Sequence, residues 1–94
     1  MNKVVLKGYI VVPDSDLAAV DKELPVHIEL TKKEDGCLIF EVTRDEKEKN
    51  RFHVYEEFES EEAFSNHQQR VRSSKWGSVT KNVERFYEVM GLSE

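Results

Sequence analysis

The hydrophobic positions along this chain change period several times, and each change marks an element. From Val4 to Val12 the residues are β-branched or aromatic with interruptions at Lys7 and Gly8, and Pro13 closes the run, which predicts a first strand. Asp14 and Ser15 then offer N-cap oxygens, and Asp16 complements a helix dipole. Leu17, Val20, Leu24, Ile28 and Thr31 follow at helical spacing, so a first helix is expected to about Glu34. Pro25 falls inside it, where a missing backbone donor predicts a kink, or a break and restart. Asp35-Gly36 reads as a stop and turn, after which Cys37 to Arg44 alternates with Leu38, Phe40 and Val42 on one face. That is a second strand. Asp45 to Asn50 holds no apolar residue and suits a hairpin loop leading to a third strand, where Phe52, Val54 and Phe58 share a face.

Ser60 caps a predicted second helix with Glu61 and Glu62 in its first turn, and Ala63, Phe64, His67 and Val71 form its apolar stripe. Ser73-Ser74 breaks that pattern. A short helical turn carries Trp76, Val79 and Val83, Arg85 to Val89 reads as a last strand, and residues 90–94 are expected to be a loose tail. The order is β-α-β-β-α-β, an α+β class with a ferredoxin-like, antiparallel four-stranded sheet. No repeat or linker divides the chain, so residues 1–94 are expected to form a single domain with its core at about 3–89.

Length sharpens this picture. With 94 residues the chain can build one core, and a domain of this size buries only about 60–65% of its unfolded surface, so a homodimer interface would add stability. Hydrophobic residues at 38% and charged ones at 35% fit a folded domain rather than a disordered one. The net charge of −5, without a basic face, argues against a nucleic-acid partner. No signal-peptide or membrane-span pattern is visible and Cys37 is the one cysteine, so no membrane partner and a cytoplasmic location are expected. His27, His53 and His67 with Cys37 give no zinc or iron spacing, and glycine-rich nucleotide loops and nucleophile elbows are absent. Neither a metal nor a cofactor is expected.

Several blocks of sequence then narrow the family. Leu24-Pro25-Val26-His27-Ile28-Glu29-Leu30-Thr31 and Glu34-Asp35-Gly36-Cys37-Leu38-Ile39-Phe40-Glu41-Val42 resemble the middle of antibiotic biosynthesis monooxygenase (ABM) domains. Arg51-Phe52 with Tyr55-Glu56-Glu57-Phe58, then Ala63-Phe64-Ser65-Asn66-His67-Gln68, is similar to that family's strand-to-helix signature. Ser74-Lys75-Trp76-Gly77 and Arg85-Phe86-Tyr87 resemble the tail of its quinol monooxygenase branch. The resemblance covers roughly residues 3–89 and implies a dimeric α+β barrel, two sheets face to face, with a ligand pocket between sheet and helices in each subunit. It leaves the reaction open, because the family includes quinol and polyketide oxidases, haem degraders and isomerases. Haem degradation fits poorly: that branch carries an Asn in strand one and a Trp on the second helix, where this chain has Lys7, Gly8, Tyr9 and His67.

Candidate chemistry concentrates on the faces turned inward. His67, between Phe64 and Val71, is either a base for a phenolic proton or a core histidine satisfied by one hydrogen bond. Glu56 shares the apolar face of the third strand, so it must pair with a cation such as Arg70 or Arg85, or take a raised pKa and serve in proton transfer. His27, just after Pro25, either reaches a pocket opened by the kink or sits half exposed at the helix edge. Thr31 joins it as a candidate substrate contact. Arg70, one turn from His67, can bind an anionic oxygen or simply be solvated, while Trp76 and Tyr87 can stack on a flat ring or fill the core. Tyr55, His53 and Glu57 lie on the opposite face of strand three, where the resemblance places the partner subunit. Cys37 reads as an inert buried thiol. The functional expectation is a cofactor-independent monooxygenase that oxidises a small hydroquinone or polyphenol with O2, using His67 and Glu56 as catalytic groups. The rivals are a non-catalytic dimeric binding or stress-associated module, and an isomerase using the same acid and base.

Overall fold

The computed structural model describes residues 3–92. The elements are β1 (Val4–Val11), a single 3-10 turn (Asp14–Asp16), α1 (Leu17–Lys32), β2 (Cys37–Arg44), β3 (Arg51–Phe58), α2 (Glu61–Arg72), α3 (Lys75–Val79) and β4 (Glu84–Met90). The strands form one sheet in the order β2-β3-β1-β4, and every neighbouring pair is antiparallel. This is the ferredoxin-like β-α-β-β-α-β topology, with α3 as an added turn before the last strand.

Period-two alternation decides which face is buried. The register sets Val4 opposite Phe58, Leu6 opposite Glu56 and Ile10 opposite Phe52, so these residues lie on one face under the helices. Phe52 and Phe58 are the largest fully buried side chains, each contributing about 2–3 kcal/mol by leaving water. From the helix side Val20, Phe64 and Trp76 close over them, with α3 packed against both longer helices. The cap expected for α2 is present: Ser60 Oγ accepts from the Ala63 amide at 3.1 Å, and the acidic first turn is balanced by Arg70 and Arg72 in the last. Ser74 caps α3 in the same way, accepting from the Gly77 amide at 3.1 Å. Gly36 turns the chain into β2 with φ at +85°, and its carbonyl accepts from the Glu59 amide at 2.8 Å, tying that turn to the end of β3.

Four expectations are corrected. Asp14 and Ser15 do not cap α1, whose N-cap is Asp16 with no side-chain bond; Asp14 instead accepts from Asn50 Nδ2 at 2.8 Å, drawn toward the β2–β3 loop. Pro25 neither breaks nor restarts the helix, which runs through it for 16 residues. Pro25 and Asp21 are both exposed, so the carbonyl that Pro25 leaves without a donor is on the solvent side, where water can bond it. Helix α1 ends at Lys32, two residues before Glu34, which leaves Glu34 free of the helix to turn inward. Met90 belongs to β4, paired with Val5, rather than to a loose tail; residues 93–94 of that tail lie outside the described residues.

Among the described residues no helix covers the other face of the sheet. Tyr9 and Phe86 stack on it at 4.8 Å, Arg51 lies over Tyr9 at 4.5 Å, and Ile39, Phe86 and Met90 are exposed there. Tyr55 and Glu57 share this face, where Lys3 pairs with Glu57 at 3.0 Å.

Candidate functional site

A cavity of about 210 Å³ lies between the inner sheet face and the helices. Leu6, Ile10, Phe40, Val42 and Val54 form its apolar floor, and the helices add His27, His67, Val71 and Trp76. Strand β4 closes one side with Arg85 and Tyr87. The same alternation that buries Phe52 and Phe58 turns Glu56 into this space, leaving only 7% of the residue exposed.

Among the described residues neither Arg70 nor Arg85 pairs with Glu56. Arg70 is bound to Glu34, and Arg85 donates to the Thr80 carbonyl at 3.2 Å. Burial, reinforced by the Glu34 carboxylate, therefore pushes the Glu56 carboxyl up to about 8, so it is mostly protonated at neutral pH. Facing it is His67, whose Nε2 stands 3.8 Å from Glu56 Oε1. His67 is packed among Phe40, Phe58 and His27 and bonds through Nδ1 to Glu34 Oε1 at 2.8 Å. Burial holds its imidazole below the ordinary range although Glu34 works in the opposite direction, so the ring is neutral at pH 7. A neutral imidazole and a protonated carboxyl thus face each other across the cavity.

His27 is buried at 4% exposure, not half exposed at the helix edge, because its ring lies flat on Trp76 with centroids 4.5 Å apart and planes inclined by 3°. Burial, then the charges of His67 and Arg70, lowers its pKa to about 3, and its Nδ1 has no hydrogen-bond partner among the described residues. Trp76 and His27 together make a flat aromatic wall. Tyr87 keeps 39% of its surface exposed, yet burial of its hydroxyl and then the Glu56 carboxylate raise its phenol above the usual range, so it remains a donor.

The structure brings His67, Glu56, His27, Trp76 and Tyr87 to one cavity and places Thr31 and Arg70 elsewhere. Arg70 lines a separate outer groove with Glu34, Asn66 and the far edge of His67. It is engaged through Nε by Glu34 Oε2 and gives a 3.1 Å bond to Thr31 Oγ1, so neither side chain is free for a ligand in the cavity. Sequence reasoning did not find Glu34, Gln68 or Thr80. Glu34 is 33 residues from His67, and no local pattern signals that pairing. Cys37 is half-buried, and burial followed by the Glu34 and Glu56 carboxylates pushes its thiol up, away from the reactive thiolate. Among the described residues no group of three or more His, Cys, Asp or Glu is arranged to hold a metal ion.

A ferredoxin-like sheet with a histidine- and carboxyl-bearing cavity under its helices defines a small α+β fold whose cavity has the dimensions of a small-molecule site. The chain belongs to the antibiotic biosynthesis monooxygenase family, which matches residues 4–77. That match stops before β4, so Arg85-Phe86-Tyr87, part of the resemblance to the quinol branch, lies beyond it. No curated protein matches the chain. Among solved structures, MupZ from Pseudomonas fluorescens is 26% identical with a TM-score of 0.76, covering 97% of this chain and 70% of that one. PA3566 from Pseudomonas aeruginosa is 17% identical with a TM-score of 0.77, covering 100% and 95%. A proposed antibiotic biosynthesis monooxygenase from Nitrosomonas europaea is 17% identical with a TM-score of 0.78, covering 98% of each. At 17% these likenesses concern the fold alone. No helix among the described residues is long and apolar enough to cross a membrane.

Proposed function

We propose that this protein is a cofactor-independent monooxygenase that oxidises a one-ring hydroquinone with O2, working as a homodimer in the cytoplasm. The observation that carries the reading is the facing pair of neutral His67 and protonated Glu56 over the apolar floor of the cavity. Phenols are too weakly acidic to ionise unaided at neutral pH, and a neutral imidazole at the cavity wall is suited to take that proton. The phenolate left behind is rich enough in electrons to reduce oxygen itself. In balance, a hydroquinone and O2 give a hydroxyquinone and water: one oxygen atom enters the ring, and the other leaves as water, with Glu56 placed to supply it a proton. The flat His27–Trp76 wall suits a planar ring. Size supports one ring rather than several, since a dry cavity of about 150 Å³ already holds benzene and this one is about 210 Å³.

Support for the homodimer comes from the uncovered sheet face, where Ile39, Phe86 and Met90 stand exposed beside the Tyr9–Phe86 stack. A second sheet laid on it would bury this surface. Membership of the quinol branch and a role in binding substrate for Tyr87 and Trp76 belong to the same reading.

The test is oxygen uptake by purified, metal-stripped protein against a panel of hydroquinones, with folded His67→Ala and Glu56→Gln variants alongside. Uptake above the protein-free blank that collapses in either variant is the expected result. No uptake above blank, with ligands still raising the melting temperature, overturns the oxygenase and leaves an isomerase or a binding module.

A further inference from the structure

The hydrogen bond between His67 and Glu34 does more than satisfy a buried ring. A neutral imidazole has one donor and one acceptor nitrogen, and whichever is bonded to a carboxylate acceptor must carry the hydrogen. Nδ1 is 2.8 Å from Glu34 Oε1, so the hydrogen belongs on Nδ1 and the lone pair on Nε2, the edge that faces Glu56 and the cavity. Glu34 is itself held. Its Oε2 accepts from Arg70 Nε, and Arg70 is steadied by its 3.1 Å bond to the fully buried Thr31 hydroxyl in the last turn of α1. The brace joins the end of α1 to two residues one turn apart on α2, and both its charged members lie outside the cavity.

We propose that Glu34 is the positioning residue of this site: it fixes His67 in the tautomer that offers Nε2 to the cavity, and balances the imidazolium formed when Nε2 takes a proton from a ligand hydroxyl. The proposal rests on the oxygenase reading only for the source of that proton. As the ligand O–H bond breaks, an Nε2–H bond forms; Nδ1 keeps its hydrogen, and Glu34, paired with Arg70, keeps its negative charge. Arg70 acts here by anchoring Glu34 and not by meeting the ligand's oxygen. The spacing suits the role, because a single hydroxyl oxygen seated between Nε2 and Glu56 Oε1, 3.8 Å apart, can be within hydrogen-bond distance of both.

The deciding experiment is nitrogen-15 NMR of ring-labelled histidine in the wild type and Glu34→Gln, followed across pH, with melting temperatures recorded in parallel. Around His67 the titratable and charged groups are Glu34, Arg70 on α2, Glu56 on β3 and His27 on α1, with Tyr87 and Cys37 acting on or through Glu56. The expected wild-type spectrum shows neutral His67 with its hydrogen on Nδ1. In Glu34→Gln, whose amide can donate or accept, both tautomers are populated, and His67 becomes charged only at lower pH because a carboxylate that favoured its charged form is gone. Turnover then falls about tenfold to a hundredfold in kcat with KM unchanged. A wild-type ring carrying its hydrogen on Nε2 overturns the proposal, as does a Glu34→Gln protein whose tautomer and pH response match the wild type. If Glu34→Gln does not fold, the wild-type spectrum alone decides. A protein that takes up no oxygen still gives that spectrum, so the two readings fail separately.

Discussion

Replacing Glu56 by Gln should make the protein more stable at neutral pH, although it removes a group from the centre of the cavity. The unfolded chain releases the Glu56 proton above its ordinary value of 4.5, whereas the folded chain holds it until about 8. Over that window the unfolded state binds fewer protons, so stability is full below 4.5 and is lost as pH rises toward the folded value. The slope is about 1.4 kcal/mol per pH unit where the two states differ by one proton, so the wild type should lose about 2–3 kcal/mol from this residue between about pH 5 and about pH 7. Glutamine has the shape of the protonated acid and cannot ionise, so the variant escapes this loss. Urea unfolding at a series of pH values and one fixed protomer concentration measures it, and the quantity to plot is the difference between the two proteins, which cancels titration at His67, Tyr87 and Cys37. The curves should nearly meet at about pH 5 and separate steadily above it. Parallel curves would show that Glu56 ionises normally in the folded chain, and would refute the argument that burial without a cation keeps it protonated.

Other outcomes follow from single features. Phe58→Ala should cost about 3–5 kcal/mol in denaturant unfolding, since the ring is fully buried between β3 and α2 against Phe64 and His67. Ser60→Ala should cost about 1 kcal/mol in the same assay by leaving the Ala63 amide unbonded. Gly36→Ala should cost about 1–3 kcal/mol and lower the melting temperature, because φ is +85° and a Cβ would stand 2.6 Å from that of Ala63. Tyr87→Phe should cost about 0.5–1.5 kcal/mol by removing a buried hydroxyl that Arg85 bonds, and weaken binding of phenols measured by calorimetry.

Strand alternation made much of this fold readable: the inward set Phe52, Val54, Glu56 and Phe58 follows from position parity once β3 is recognised, and so does the unusual burial of a carboxyl. The Ser60 cap and the Gly36 turn are local signals of the same kind. What escaped depended on partners far along the chain. Asp14 looks like a helix cap until Asn50 competes for it, and His27 stays open between pocket and helix edge until Trp76, on α3, is laid against it. Arg70 has the spacing of a ligand contact on α2, but Glu34 reaches it first. At Pro25 the sequence leaves a kink and a break both open, and the break does not occur: its cost depends on whether the bereft carbonyl can reach water, and exposure on the outer flank of α1 is a tertiary property.

The parallel stack of His27 on Trp76 gives the cavity its own light source. Trp76 is the only indole in the chain and sits in the cavity wall against an imidazole. Its emission therefore reports from one place. A ring entering the cavity changes the neighbours of that indole, so unlabelled phenols can be ranked by fluorescence before any reaction is known.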